Sequence, residues 1–371
     1  MVKLVVWQMF NLSGDKQMKK SLVALAVLGS FAGAASAANS VTLYGRVDVG
    51  YQKFSHEFDN DGFNQSGNGE TRLGIKGEED LGNGLAATFQ LEGRFDGDTG
   101  SKTEKDDGSQ LAFFDRESTV GLKGSFGHVR FGRSVAAMDK ALDRYVVGER
   151  VATLWDPYAS STRHSNTMFY DFASGGFDGG FHVSTKGGAV GDTTEGKDGE
   201  KIGYGVFAGY TVAGFTVSAA YQADKAQFAR PNLTQNISAI GEFAADKEWG
   251  VGMSYQYNPV KFSVTYAEAK SRQQNSSYKA KLKTWTTALS ADVTANDNVY
   301  VKYMEKRFSD NYSASLQKEK GRYFGLGYSH ALSKRTSVYA DVGRYDVKQT
   351  VGRATYKNDG TAFDIALRHN F

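Results

Sequence analysis

The feature that most constrains this chain is a repeated alternation of apolar and polar side chains in segments of about ten residues. In residues 41–51 the odd positions are Val, Leu, Gly and Tyr, whereas the even positions include Thr, Arg and Asp. The same division recurs in residues 215–222, 260–266 and 363–371, and no Asp, Glu, Lys or Arg lies on the apolar face of these four segments. A period of two is typical of a β-strand with one apolar face. The sequence therefore predicts a sheet that has one continuous apolar face.

About sixteen such segments lie between residues 41 and 371, and they are longer than the five or six residues that are usual in soluble sheets. A tilted strand that crosses a membrane needs roughly 9 to 11 residues. After residue 37 no apolar run reaches the roughly 18 residues of a membrane-spanning helix, so the chain is either soluble or crosses a membrane as strands. The predicted strand centres are residues 47, 74, 89, 118, 130, 169, 183, 207, 218, 252, 265, 286, 302, 326, 340 and 366.

The connections between these segments alternate between short turns and long polar stretches. The short turns are residues 81–84, 124–127, 175–180, 213–214, 258–259, 295–298 and 332–334. The long connections are residues 55–70, 96–110, 134–163, 186–200, 223–247, 270–278, 309–321 and 346–360. A soluble sandwich has no reason to place every long loop at one end, whereas an outer-membrane barrel does so. The prediction is an all-β protein, a 16-stranded antiparallel transmembrane β-barrel whose inner face lines a water-filled lumen.

Aromatic residues near the strand ends fit the girdles that flank the apolar band of such a barrel. The candidates are Tyr51, Phe54, Tyr210, Tyr257, Tyr345 and Phe371.

The N-terminal segment has the pattern of a secretion signal. Met18 is followed by two lysines, by an apolar run over residues 22–35 and by the small residues Ala35-Ser36-Ala37. We expect residues 1–37 to be an upstream extension and signal peptide, with Met1 and Met18 both open as starts. Residues 38–371 would then form a single barrel domain that begins at Ala38. The alternative is a buried N-terminal helix, but packing gives no reason for small residues at the cleavage positions.

Composition excludes several other classes of protein. The chain has no Cys, so disulfides and thiolate metal sites are absent. The net charge of +3 comes entirely from the first 37 residues, so the remainder has no bulk attraction for nucleic acid. No cofactor and no dedicated metal site is predicted. An outer-membrane hydrolase is the competing class, but the six His show no spacing that pairs one of them with a nucleophilic Ser.

Four motifs give the chain a specific resemblance. They are residues 40–48, SVTLYGRVD; residues 71–82, TRLGIKGEEDLG; residues 120–133, VGLKGSFG leading to FGR; and the terminal aromatic Phe371. In this order, and together with a signal peptide, they resemble the general diffusion porins of Gram-negative outer membranes, most of all the beta-proteobacterial type. The resemblance implies a homotrimer in contact with membrane lipid and lipopolysaccharide, and passive transport of ions and small hydrophilic solutes.

The resemblance also implies a third external loop that folds into the barrel and forms a charged constriction. The basic side of this constriction would be Arg46, Arg72, Arg116 and Arg163. The acidic side would be Asp139, Asp143 and Glu149, on a loop in which residues 134–143 could form a short helix. Arg133 is left out of the constriction as a residue of a subunit contact. Four arginines against two or three carboxylates would favour anions. The alternative is a channel selective for one anion, phosphate or sugar.

Overall fold

The computed structural model describes residues 39–55, 62–64, 71–101, 112–148, 157–159, 162–185, 202–223, 245–272, 279–311 and 317–371. These residues form seventeen strands and one short helix. The first strands are β1 (Asn39–Phe54), β2 (Gly62–Asn64), β3 (Arg72–Gly82), β4 (Leu85–Arg94), β5 (Glu117–Gly124), β6 (Gly127–Val135), β7 (Arg163–Ser174) and β8 (Phe177–Ser184). They are followed by β9 (Gly203–Val212), β10 (Phe215–Ala223), β11 (Lys247–Tyr257), β12 (Val260–Arg272), β13 (Lys279–Asp292), β14 (Asp297–Asp310), β15 (Gln317–Ala331), β16 (Thr336–Val351) and β17 (Ala354–Asn370).

The helix, α1 (Ala137–Leu142), continues into a 3-10 turn at Asp143–Tyr145. No helix among the described residues is long and apolar enough to cross a membrane.

The sheet is closed on itself. From β3 to β17 each strand pairs antiparallel with the next one in the chain. β1 pairs with β3 through Asn39–Arg46 and with β17 through Arg46–Phe54, which joins the two ends of the sheet. β2 is a short addition beside β1. The structure is therefore a closed 16-stranded barrel, as predicted, and each of the sixteen predicted centres lies within one of its long strands.

The apolar face of the sheet is the outer one. Leu43 and Ile365 are 52% exposed, and most of the other exposed large apolar side chains occupy the same face of their strands. The opposite face carries buried polar residues such as Asp48, Gln52 and Thr284. The polar face of the sheet therefore lines the interior of the barrel and the apolar face is on the outside, which is the arrangement predicted from the alternation.

Two details of the prediction are wrong. Residues 346–360 are not a long connection, because β16 and β17 continue to a tight turn in which Gly352 has φ of 60°. Above a membrane both faces of a hairpin meet water, so its sequence loses the apolar alternation by which strands are recognised. Tyr345 is not in an outer girdle either. It lies 5% exposed on the inner face, clustered with Met304 and Tyr323.

A buried ion pair fastens the seam between the first and last strands. Arg368 Nε and Nη2 lie 2.8 and 2.7 Å from Asp48 Oδ2, and the hydroxyl of Tyr339 donates to Asp48 Oδ1 at 2.6 Å. Asp48 is fully buried. Asp48→Ala would leave the guanidinium without its partner, so we expect the free energy of unfolding in detergent to fall by about 3–5 kcal/mol.

Urea unfolding of the purified barrel measures this effect. The control is Glu79→Ala, at an exposed position near the end of β3, for which no measurable change is expected. Equal stability of Asp48→Ala and the control would mean that the seam does not depend on this pair.

Candidate functional site

Three arginines form a row across adjacent strands of the inner wall. Arg46 of β1 is directly opposite Arg72 of β3, and Arg72 is directly opposite Arg94 of β4. Directly paired residues lie on the same face of a sheet, and like charges in such pairs repel each other. The Nε of Arg46 also donates to Asn370 Oδ1 at 2.8 Å across the seam. The row therefore concentrates positive charge on one part of the lumen wall.

Glu92 holds two of the predicted arginines together. Its carboxylate lies 2.5 Å from Arg116 Nε and 3.9 Å from Arg72 Nε. The backbone N–H of Arg116 donates to the carbonyl oxygen of Glu92 at 3.1 Å, which fixes this residue at the entry of β5. Arg72 and Arg116 thus belong to one cluster, in which a single carboxylate is shared by two guanidinium groups.

A second cluster is built around Asp115. Its carboxylate lies 2.5 Å from Arg94 Nε, and its carbonyl oxygen accepts a hydrogen bond of 2.5 Å from Arg133 Nε. Arg163, the first residue of β7, interacts electrostatically with Arg94 and Arg133. Arg133 also donates to Ser165 Oγ at 2.9 Å, and the subunit contact predicted for it stays a prediction.

A third group of charges joins the wall to the loop after β6. Asp171 of β7 accepts a hydrogen bond of 2.6 Å from Arg130 Nη2 and also pairs with the ammonium group of Lys140. Arg130 donates in addition to Ser134 Oγ at 2.7 Å. Because Lys140 belongs to α1, this group fixes one side of the helix to the sheet.

The other side of α1 packs on an apolar patch of the inner wall. The helix contributes buried Ala, Met and Leu side chains, and Phe207, Ala220 and Ala267 lie beneath them. These three wall residues alternate with outward-facing side chains on β9, β10 and β12 and therefore face the lumen. The described part of the third loop thus lies against the inside of the barrel, and the prediction of a short helix in it is confirmed. The helix begins at Ala137 because β6 continues to Val135.

Two hydrogen bonds and a glycine of β11 complete the docking of this segment. Ser218 Oγ donates to the carbonyl oxygen of Ala141 at 2.7 Å, and Ser263 Oγ donates to that of Tyr145 at 3.1 Å. The ring of Tyr145 lies over Gly252, where an added Cβ would come within 2.1 Å of it. The ring of Tyr145 can pack against β11 here because Gly252 has no side chain.

The predicted acidic residues lie on this docked segment. Asp139 accepts a hydrogen bond of 2.9 Å from the hydroxyl of Tyr158, and Asp143 is exposed. Both line a cavity of about 730 Å³ together with Arg144 and Lys261. The hydrogen bond from Arg144 to Asp178 raises the pKa of that guanidinium above its usual value. The third predicted acidic residue, Glu149, lies outside the described residues.

Arg46 and α1 are on opposite walls of the barrel. In the ring of sixteen long strands β10 is eight strands away from β1, and β10 and its neighbours carry α1. The wall that holds Arg46 therefore faces the wall that holds the helix across the lumen. Six charged residues of this site were not predicted. Each of them lies either beside α1 or in a cluster that also contains a predicted residue. They are Glu92, Arg94, Asp115, Arg130, Lys140 and Asp171. Among the described residues no group of three or more His, Asp or Glu side chains could hold a metal ion.

A closed barrel with an apolar outer wall and an arginine-rich lumen is the architecture of an outer-membrane channel. The comparisons with known proteins agree with it. The chain belongs to the Gram-negative porin family, whose model matches residues 24–350. The predicted family and the predicted location in the outer membrane are thereby confirmed.

Two relatives extend over almost the whole chain. Outer membrane porin protein 32 of Delftia acidovorans is 32% identical over 344 residues, which are 88% of this chain and 89% of that protein. An outer membrane porin protein of Bordetella pertussis is 29% identical over 95% of this chain and 100% of its own length.

Solved structures show the same fold. The anion-selective porin from Comamonas acidovorans is similar with a TM-score of 0.65 and 26% identity, over 90% of this chain and 100% of that one. OmpT of Vibrio cholerae, expressed in the outer membrane, is similar with a TM-score of 0.67 and 18% identity, over 91% of this chain and 99% of that one.

Proposed function

We propose that this outer-membrane diffusion channel passes small hydrophilic solutes passively and favours anions over cations. The observation that carries the proposal is the row of Arg46, Arg72 and Arg94 on neighbouring strands of the lumen wall. Without Lys140, which belongs to α1, the row and the clusters described above, with Glu117 beside Arg130, contain six arginines (Arg46, Arg72, Arg94, Arg116, Arg130 and Arg163) and four carboxylates (Glu92, Asp115, Glu117 and Asp171), so arginine outnumbers carboxylate on this wall. The solved porin from Comamonas acidovorans is itself described as anion-selective, which supports the proposal.

The proposed constriction uses all seven predicted residues. Arg46, Arg72, Arg116 and Arg163 form its basic side, and Asp139, Asp143 and Glu149 form its acidic side. Fixed charges of opposite sign on facing walls create a transverse field that orients water and dipolar solutes. The docking of α1 against β9–β12 supports this arrangement, since it brings Asp139 and Asp143 into the lumen.

Single-channel recording in planar bilayers tests the proposed function. In a gradient of potassium chloride we expect a reversal potential that corresponds to chloride permeating faster than potassium. The current should rise in proportion to salt concentration without saturating. A cation-selective reversal potential would contradict the proposal, and saturable block by millimolar phosphate or by a sugar would favour the substrate-selective channel instead.

Three further properties complete the proposal. The chain is cleaved after Ala37 during export, so the mature protein begins at Ala38. The mature protein performs no chemical step and uses no cofactor. It assembles as a homotrimer in contact with membrane lipid and lipopolysaccharide, and it has no nucleic-acid partner. One solved structure with the same fold is a trimer form of Vibrio cholerae OmpT.

A further inference from the structure

The cavity of about 730 Å³ beside Asp139 and Asp143 lies between the docked loop segment and the short-turn ends of β9–β12. Its wall residues belong to the hairpins β9–β10 and β11–β12, close to the turns at residues 213–214 and 258–259. The helix α1 and its 3-10 turn form the other side. The volume is within the range of about 300–1,000 Å³ that is typical of pockets for small molecules. We call this space the sub-loop cavity.

Two of the cations beside the cavity are held by carboxylates of the barrel wall. Arg144 donates to the two carboxylate oxygens of Asp178 at 2.9 and 2.6 Å, and its Nη2 also donates to the carbonyl oxygen of Lys140 at 3.0 Å. The ammonium group of Lys140 pairs with Asp171. The charge of each cation is therefore balanced within the chain, and neither of them attracts a solute strongly.

Lys261 of β12 is the third cation of the cavity, and its charge is not balanced in this way. Its ammonium group donates to the carbonyl oxygen of Arg144 at 3.2 Å, and it forms no ion pair within the part of the chain that the structure describes. An ammonium group has three N–H donors, so this bond leaves two of them for a solute. The bond to Arg144 also keeps the charge of Lys261 beside the turn that follows α1.

The docked segment supplies negative charge to the same cavity. Asp139 and Asp143 are four residues apart, so they lie on one side of the helical segment, and both line the cavity together with Lys261. Asp143 is exposed, and Asp139 accepts a hydrogen bond of 2.9 Å from the hydroxyl of Tyr158. An ionised carboxylate accepts several hydrogen bonds at once, so a bond from the protein does not prevent one from a solute.

The rest of the cavity wall is polar but uncharged. The hydroxyl groups of Thr211 and Thr216 are bonded to each other at 3.0 Å. The amide nitrogen of Gln256 donates to Asn258 Oδ1 at 3.1 Å and to the carbonyl oxygen of Val260 at 3.3 Å, so both of its hydrogens are used within the hairpin. The amide oxygen of Gln256 then serves as a further acceptor for a polar solute.

Charges of both signs in one cavity discriminate between classes of solute. A simple anion is attracted by Lys261 but repelled by Asp139 and Asp143, and a simple cation meets the reverse. A molecule that carries both an ammonium and a carboxylate group can place each charge against its opposite. Unfavourable contacts with the wrong solute contribute to specificity as much as favourable contacts with the right one.

We propose that the sub-loop cavity binds zwitterionic solutes of the amino-acid class as they pass through the channel. The carboxylate of the solute lies against Lys261, and its ammonium group lies against Asp139 and Asp143. This inference rests on the proposed diffusion function, because the solute reaches the cavity through the lumen. The site differs from the row of arginines, since Lys261 belongs to the wall that carries α1 and Arg46 to the wall that faces it.

The test uses three probes with the same carbon chain in single-channel recordings at fixed salt concentration. The probe 4-aminobutanoate carries both charges, butanoate carries only the carboxylate, and butylammonium carries only the ammonium group. The measured quantity is the probe concentration that produces half of the maximal decrease in current.

Four variants of the full chain are compared with the parent. Lys261→Gln and Asp143→Asn each remove one charge from the cavity, and Lys261→Arg keeps the positive charge. The matched control is Lys76→Gln, which removes the charge of an exposed lysine on an inward position of β3. Lys76 is on the wall of Arg46, where its ammonium group lies over the ring of Tyr44.

We expect 4-aminobutanoate to decrease the current of the parent channel with saturation, and Lys261→Gln and Asp143→Asn each to require about fivefold more of it. A unit charge about 4 Å away has an effect of roughly this size even in water. Lys261→Arg and Lys76→Gln should behave as the parent does, and the two singly charged probes should decrease the current far less.

Three results would overturn the inference. They are a parent channel that does not respond to 4-aminobutanoate, a Lys261→Gln channel that responds as the parent does, and a decrease by butanoate or butylammonium as strong as that by 4-aminobutanoate. The reversal potential of the same channels, recorded before a probe is added, tests the proposed function separately. A cation-selective potential would contradict the preference for anions, whereas the probe currents report on the cavity.

Discussion

Replacing Arg72 and Arg116 together by glutamine is expected to lower the ratio of anion to cation permeability about sevenfold at 0.1 M salt. A unit charge about 7 Å from a permeating ion changes the energy of that ion by about 0.6 kcal/mol in water, and screening at this ionic strength roughly halves the effect. The two substitutions also leave Glu92 without the guanidinium groups that now lie 2.5 and 3.9 Å away. The reversal potential in a salt gradient measures the change, which should be toward cations.

Three variants make this experiment selective. Arg307→Gln removes the same charge from the outer wall and should leave the reversal potential where it was, because that side chain faces outward. Glu92→Gln should move the reversal potential in the opposite direction. Arg163→Gln alone tests, by the same reversal potential, whether the fourth predicted arginine contributes to the preference for anions. An unchanged permeability ratio in the Arg72 and Arg116 double variant would remove both residues from the constriction.

Replacing Gly252 by valine is expected to displace the loop segment from the wall and to increase the single-channel conductance. A Cβ at this position would lie 2.1 Å from the ring of Tyr145, so the ring has to leave its place. Overpacking of this kind costs typically about 1–3 kcal/mol, and a loop held by one short helix can relieve it by moving into the lumen water. Conductance in planar bilayers at fixed salt concentration measures the result.

Val251→Ala is the matched control for this change. Val251 is the neighbour of Gly252 in β11 and is exposed on the outer wall, so its truncation should leave the conductance unaltered. Ser218→Ala removes the hydroxyl that bonds to Ala141 and should produce a smaller change in the same direction. A Gly252→Val channel with the conductance of the parent would mean that the docked segment does not limit the current.

The architecture was accessible from sequence because strands that cross a lipid layer must keep one face apolar. Residues 41–51 and 363–371 show this alternation, and they became the two strands that close the barrel. The third loop was recognised by its length and by a helical pattern at residues 134–143, of which α1 is the core. Where water reaches both faces of a strand, as in residues 346–360, the alternation disappears and the strand was missed.

The site was less accessible, because its clusters depend on pairings between strands that a single sequence does not reveal. Arg94 does not follow from Arg72, because a register shift between Asp80 and Gly82 moves the pairing of β3 and β4 by one residue, and the tight turn alone would place Phe95 opposite Arg72. Asp115 lies just before a strand, in a stretch without periodicity, and no pattern pointed to its contact with Arg133. The subunit contact predicted for Arg133 stays a prediction, since its hydrogen bonds within the chain do not bear on it.

The pairing of β1 with β17 has a consequence for how the protein can be made. Arg46 is opposite Asn370 at the seam, so β1 has no partner on its open side until β17 has been synthesised. An unfinished copy would expose two bare edges, which bind other chains readily and cannot be inserted into lipid. Insertion into the bilayer therefore depends on β17, and a copy that lacks this strand is expected to stay outside the lipid.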